Sequence, residues 1–313
     1  MKVLIIDEMH ESITALLNDI NLEVDYMPKI KREEIISIIE NYEGLIVRSK
    51  THIDAELLKN ANKLVFVARA GAGVDNVEVE ELDKRNIQLL NAPEGNRDAL
   101  AEHAIGMLLS LFNKINTADQ EVREGKWDRE GNRGVELMGK TVGLLGFGNM
   151  GAAFAKRLSS FGCEILAFDA EKSGFSNKYV QEVSLDMLKE KSQILSLHIP
   201  MNAQNKGIVN DDFLSEFKKL EYVINTSRGE VLILKDLLNL LKSKKIKGAA
   251  LDVLENEKIN SLNQNELSVF QELTELKQVI FTPHIAGWSI ESYEKINKVL
   301  SQKIKLLVEK RDK

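Results

Sequence analysis

Val142-Gly143-Leu144-Leu145-Gly146-Phe147-Gly148-Asn149-Met150-Gly151 decides the fold. An apolar run ends in a G-x-G-x-x-G loop, and a helical pattern follows it. A helix opening on such a loop presents free N–H groups and the positive end of its dipole, which suits a pyrophosphate. Glycines also serve tight turns, so the loop alone is a weak signal. The next apolar run, Glu164-Ile165-Leu166-Ala167-Phe168, ends at Asp169, 18 residues past Gly151. An acid about 20 residues downstream is the expected partner of a ribose 2′-OH. Its charge repels a 2′-phosphate, so NAD is expected over NADP.

Outward from this stretch the pattern is α/β. Strand-like runs at 141–145, 163–168, 193–197, 222–225, 247–251 and 278–281 alternate with helical segments, the six parallel strands of a dinucleotide-binding domain. Earlier in the chain, Leu4–Ile6, Leu22–Tyr26, Gly44–Val47 and Leu64–Ala68 read as buried strands separated by helical segments near 11–19, 31–40 and 54–61. A long helix is predicted from Asn96, its expected cap, to about Gly125. Leu100, Ala104, Met107, Leu108, Leu111, Phe112 and Ile115 recur in it at helical spacing. A last helix over 289–309 follows the final strand and is expected to return to the first domain. Residues 1–95 with 286–313 are thus expected to form one domain, and 96–285 the other.

At 313 residues the chain can bury two cores. The net charge of −6 comes with no basic block, so nucleic acid and anionic membrane surfaces are not expected as partners. The single cysteine, Cys163, lies beside a buried run and is expected to pack there. A cytoplasmic location is expected, since no apolar run of membrane-spanning length appears. No metal is expected.

Chemistry-bearing residues cluster after predicted strands, where open α/β sheets carry their ligands. Arg228, in Asn225-Thr226-Ser227-Arg228-Gly229, suits a fork onto a carboxylate; surface capping is its alternative role. Glu257 closes Asp252-Val253-Leu254-Glu255-Asn256-Glu257, where acids also serve as plain loop residues. His284 follows Pro283 after the last strand. An imidazole–carboxylate pair of His284 with Glu257 would favour the imidazolium and supply a proton to a carbonyl oxygen. In the first domain, Arg69-Ala70-Gly71-Ala72-Gly73-Val74 suits an anion nest or a simple glycine turn. Arg48 and Ser49 add a cation and a donor. His198, in Leu197-His198-Ile199-Pro200, stands at a strand end near the expected cofactor.

The ordered set G-x-G-x-x-G, acid, H-x-P, N-T-S-R-G, D-V-L-E-N-E, P-H-I-A-G resembles the D-2-hydroxyacid dehydrogenase family along essentially the whole chain. The resemblance implies a Rossmann NAD-binding domain inserted in a flavodoxin-like substrate domain, both doubly wound parallel sheets. It implies Arg228, Glu257 and His284 as catalytic residues. It implies Gly146, Gly148, Asn149, Met150, Gly151, Asp169, Ile199, Pro200, Thr226, Asp252 and Gly287 as cofactor contacts, and His198 and Ser227 are expected to join them. Within the family, Val47-Arg48-Ser49, Arg69 to Val77 and Glu124 to Arg129 look like the phosphoglycerate dehydrogenases of serine biosynthesis. That likeness implies Arg48, Ser49, Arg69, Gly71, Ala72, Gly73 and Val74 as substrate contacts, and a homodimer with the Trp127 region as an arm. The chain departs from its relatives at Lys258, usually proline, at Asn149-Met150, often Arg-Ile, and at Trp288. The sequence closes at Lys313 soon after the last helix, so serine feedback through a regulatory domain is not expected. The competing expectations are a glyoxylate or hydroxypyruvate reductase, a D-lactate dehydrogenase, and a non-enzymatic NAD(H) sensor.

Overall fold

The structure, a computed structural model, describes residues 1–311. Two compact units form, one from Met1–Arg97 with Trp288 onward and one from Asp98–Gly287. Each holds one wholly parallel sheet.

The first unit's sheet contains β1 (Lys2–Ile5), β2 (Glu23–Tyr26), β3 (Gly44–Val47), β4 (Phe66–Arg69) and β5 (Gln88–Asn91) in the order 2-1-3-4-5. That is the flavodoxin-like order, whose direction of winding reverses between β1 and β3. Alternate side chains feed opposite faces. Leu4, Leu45 and Val67 pack under the helix Arg32–Ile38, whereas Val3, Ile46, Phe66 and Ala68 pack on the other side. The C-terminal helix Ile290–Arg311 joins that second face through Ile296, Leu300 and Ile304, one turn apart. Each such buried aliphatic contributes about 1.5–3 kcal/mol.

The second unit's sheet contains β6 (Thr141–Leu145), β7 (Glu164–Phe168), β8 (Gln181–Glu182), β9 (Ile194–Leu197), β10 (Tyr222–Asn225), β11 (Gly248–Leu251) and β12 (Val279–Phe281). Their order, 12-11-10-9-6-7-8, reverses between β6 and β9, as in a Rossmann sheet. Val142, Leu144, Ile224 and Ala250 face the helices Pro93–Phe112 and Asn149–Leu158. Leu145, Leu195, Val223 and Leu251 face the helix Leu234–Lys242.

Several expectations change. The predicted continuous helix begins earlier, at Pro93, and breaks after Phe112. Lys114 adopts φ 52°, and a second helix, Ile115–Arg123, follows it. Ile115 is therefore half exposed and lies outside the apolar stripe. The segment 54–61 forms only a 3₁₀ turn, Leu57–Asn60. β5 and β8 add a strand to each sheet beyond those predicted. Among the described residues no helix is long and apolar enough to cross a membrane.

Candidate active site

The second unit gathers its candidate residues along the carboxyl edge of one sheet. Gly146 leaves β6, Asp169 leaves β7, His198 to Pro200 leave β9, Thr226 to Arg228 leave β10, Asp252 to Glu257 leave β11, and Thr282 to Gly287 leave β12. Two glycines are required by close approach. Gly146 has φ 97°, and a Cβ there would lie 2.6 Å from the His198 carbonyl oxygen. A Cβ on Gly151 would lie 2.4 Å from the Gly146 carbonyl oxygen. Gly148, by contrast, faces open space, with no atom within 4 Å of such a Cβ. It caps the ten-residue helix Asn149–Leu158 without a side-chain hydrogen bond. The N–H groups around Asn149, Met150 and Gly151 are thus presented at an open helix terminus.

Asp169 braces this loop. Its Oδ2 accepts from the Phe147 N–H at 2.7 Å, and its Oδ1 accepts from the Glu171 and Lys172 N–H groups, each at 3.0 Å. Partial burial raises its pKa, but these donors and the Lys172 charge outweigh that and hold the carboxyl below its ordinary range. The acid stays ionised and keeps one lone pair, on Oδ2, for a hydroxyl donor. Ile199 and Pro200 follow β9, on the other side of β6 from β7. The Thr226 hydroxyl is buried without a protein partner. An open cradle, an uncapped helix terminus, an ionised acid and an orphaned buried hydroxyl on one sheet edge fit a dinucleotide.

His284 and Glu257 meet. His284 Nδ1 lies 2.9 Å from Glu257 Oε1 and 3.0 Å from Oε2. The hydrogen bond to Glu257 raises the imidazole pKa; burial and the Arg228 charge oppose it, and the net shift is upward. His284 sits at φ 55°, a left-handed conformation that costs a non-glycine residue about 1–2 kcal/mol. Asp252 holds it there. The Asp252 carbonyl accepts from the His284 N–H at 2.7 Å. Its buried carboxylate accepts from the Thr282 hydroxyl at 2.6 Å and from the Ile285 and Ala286 N–H groups at 2.9 Å each. Asp252 is therefore engaged in shaping the loop that ends at Gly287.

Arg228 is set by its neighbours. Buried Asn225 donates from Nδ2 to the Arg228 carbonyl at 3.0 Å, while its Oδ1 accepts from the Ser227 N–H and hydroxyl. Arg228 Nη1 donates to the Ser227 carbonyl at 2.7 Å. Gly229 presses on the Leu254 carbonyl so closely that a Cβ would clash, which draws the β10 and β11 loops together. His198 behaves oppositely to His284. Burial pushes its pKa down to about 4, and its ring packs 5.3 Å from Phe154 with Nε2 at 2.9 Å from the Ser196 hydroxyl. It is neutral near pH 7 and supports the Gly146 loop.

The first unit holds the remaining candidates at its own carboxyl edge. Arg48 and Ser49 leave β3, and Arg69 to Val74 leave β4. Gly71 has φ 143°, and the Arg69 guanidinium lies over it. Asn91 Nδ2 donates to the Ala72 carbonyl at 2.7 Å. Among the described residues the N–H groups of Ala72, Gly73 and Val74 donate to no protein acceptor. Successive N–H groups of this kind can receive an anion. Asp7, buried after β1, accepts the Arg48 N–H and so ties β1 to β3 where the winding reverses.

Sequence reasoning missed three contributors, Asp7, Asn225 and His103, whose Nε2 lies 3.1 Å from the Thr282 hydroxyl, and gave Trp288, which lies over Arg48, only as a departure from relatives. Asp7 and Asn225 follow or end strands, a signal that was available. The other two depend on packing.

Residues 105–286 match the family described as D-isomer specific 2-hydroxyacid dehydrogenase, NAD binding domain. The D-3-phosphoglycerate dehydrogenase of Archaeoglobus fulgidus is 34% identical over 306 residues, covering 97% of this chain and 56% of that protein. The chain thus spans little more than half of that relative's length. The hydroxypyruvate reductase of Thermotoga maritima is 33% identical over 294 residues, 94% of each chain. Among solved structures, D-lactate dehydrogenase from Aquifex aeolicus, complexed with NAD and lactic acid, superposes with a TM-score of 0.81 at 25% identity, covering 99% of this chain and 96% of that one. The chain belongs to the D-isomer-specific 2-hydroxyacid dehydrogenase family, and its NAD-binding domain lies within Asp98–Gly287.

Proposed function

We propose that the protein oxidises a D-2-hydroxyacid with NAD, and that its substrate is 3-phospho-D-glycerate, which it converts to 3-phosphohydroxypyruvate for serine biosynthesis. The His284–Glu257 pair carries the proposal: it is an acid–base couple with a raised imidazole pKa, on the sheet edge that also bears the dinucleotide cradle. The Gly148 opening, the N-terminus at Asn149, Asp169 and Thr226 hold the cofactor. NAD held there would supply the hydride acceptor.

The protein's own residues handle the proton and the anions. His284 takes the hydroxyl proton on its Nε2 side during oxidation and returns it during reduction, since Nδ1 is engaged by Glu257. Glu257 fixes the ring and balances the imidazolium. Arg228 forks onto the substrate carboxylate and polarises the adjacent carbonyl. The Ala72–Val74 nest, Arg48, Ser49 and Arg69 bind the anionic groups. Two arginines beside a nest favour a substrate with more than one negative group.

A panel of 3-phosphoglycerate, 3-phosphohydroxypyruvate, hydroxypyruvate, glyoxylate and pyruvate, followed by NADH absorbance, tests this. Turnover on none of them overturns the enzyme assignment. Activity on glyoxylate without activity on the phosphorylated pair overturns the phosphoglycerate assignment. The near full-length match to a hydroxypyruvate reductase makes reduction of hydroxypyruvate the second reading. We also infer a homodimer built on the exposed apolar side chains Trp127, Met138 and Val122; a monomeric mass in sedimentation would overturn it.

A further inference from the structure

The geometry points to Trp288 as a positioning residue for substrate selection: with Tyr293 it holds the Arg48 guanidinium as a preset receptor for the substrate's second anionic group. This rests on the proposed phosphorylated 2-hydroxyacid. All three residues belong to the first unit.

The Arg48 guanidinium carbon lies 3.9 Å from the Trp288 ring centroid and 5.0 Å from that of Tyr293. The two rings are nearly parallel, 15° apart, with centroids separated by 6.3 Å. His10 supports Tyr293 edge-on at 5.8 Å. The arginine main chain is pinned as well, because Asp7 accepts its N–H.

The charge itself is left over. Among the described residues the Arg48 guanidinium makes no ion pair and no side-chain hydrogen bond. Burial disfavours its charged form, and the facing Tyr293, Asp7 and Glu8 only partly offset this. A half-buried cation without an acid partner is a costly arrangement unless a ligand completes it. The Trp288 ring covers one side of the guanidinium, and its N–H groups, which make no ion pair or hydrogen bond among the described residues, can fork onto phosphate or carboxylate oxygens. An arginine already held also loses less rotamer freedom on binding than a loose one.

Trp288 is 65% exposed, so its replacement leaves the core intact. A cation–π contact at a site this exposed is worth little more than about 1 kcal/mol, so truncation is expected to cost about fivefold in recognition. The measured quantity is the ratio of kcat/KM for 3-phosphohydroxypyruvate to that for hydroxypyruvate. In Trp288→Ala this ratio is expected to fall about fivefold, through KM for the phosphorylated acid; in Trp288→Phe it is expected to stay within about twofold of the wild type. An unchanged ratio in Trp288→Ala overturns the inference, as does an equal loss on both acids. The wild-type ratio is measured first, and a wild type without preference for the phosphorylated acid overturns the substrate assignment separately. In that case fluorescence decides the stack. The chain has two tryptophans, so Trp127→Phe protein reports on Trp288 alone. Quenching by inorganic phosphate that disappears in Arg48→Met supports the receptor, and absence of quenching overturns it.

Discussion

His284 Nδ1 lies 2.9 Å from Glu257 Oε1, and the two side chains are equally half exposed. A couple in that position stays open to substrate while the carboxylate favours the imidazolium. The His284 pKa therefore lies above the ordinary 6.5. Reduction needs the imidazolium, so its rate is expected to fall as pH rises through this raised pKa. Oxidation needs the neutral ring and is expected to rise over the same interval. The stabilising contribution of the pair is complete below the unfolded pKa and is lost as pH rises through the folded one. In Glu257→Gln both kinetic limbs are expected to move to lower pH. Initial rates in both directions between pH 5 and about 9 measure the shift; a limb that stays in place removes Glu257 from this role.

Replacement of the imidazole separates chemistry from binding. His284→Ala is expected to lower turnover by about 10²–10⁴ with NADH affinity near normal, as measured by fluorescence titration. Lost NADH affinity would instead assign the residue to cofactor binding.

Gly151 leaves no space for a side chain. Gly151→Ala places a Cβ 2.4 Å from the Gly146 carbonyl oxygen. The loop must shift, with an expected loss of about 1–3 kcal/mol and weaker NADH binding. Thermal melting and a binding titration measure the two effects, and an unaltered protein would refute the close approach.

Asp169 is expected to set cofactor choice. Asp169→Ala removes the negative charge at the end of β7 and leaves the Phe147, Glu171 and Lys172 N–H groups unpaired. NAD affinity is expected to drop about tenfold or more, and the preference for NAD over NADP to narrow. Equal affinity for NAD before and after the change would eliminate the ribose contact.

Asp252→Ala strips a buried loop of its acceptor. One hydroxyl and two N–H groups lose their partner, each at about 1–3 kcal/mol. Urea unfolding is expected to show a loss of several kcal/mol, together with low turnover as His284 leaves its left-handed conformation. Wild-type stability would show that the loop holds itself.

Local sequence carried much of the fold. The apolar runs from β6 to β12 and the glycine spacing announced strands and a phosphate-binding turn, because each depends on neighbours a few residues apart. Gln88–Asn91 and Gln181–Glu182 did not announce themselves, being short strands at sheet edges, with polar ends in the first and only polar residues in the second, whose pairing partner defines them. The break at Lys114 was hidden for a related reason. Apolar periodicity continues through Ile115, and nothing nearby marks a residue able to take φ 52°.

The candidate site divides along the same line. Arg228, Glu257, His284 and the Gly146–Gly151 loop were named by sequence alone, since each follows an identifiable strand and carries its chemistry in its residue type. Tertiary structure decided what those residues experience. It separated His284, with its raised pKa, from His198, held near 4 by burial, although both are histidines after strands. It also brought Trp288 onto Arg48 and left that cation without an acid. Protonation and pairing depend on desolvation and on partners distant in the chain, and only the packed molecule supplies either.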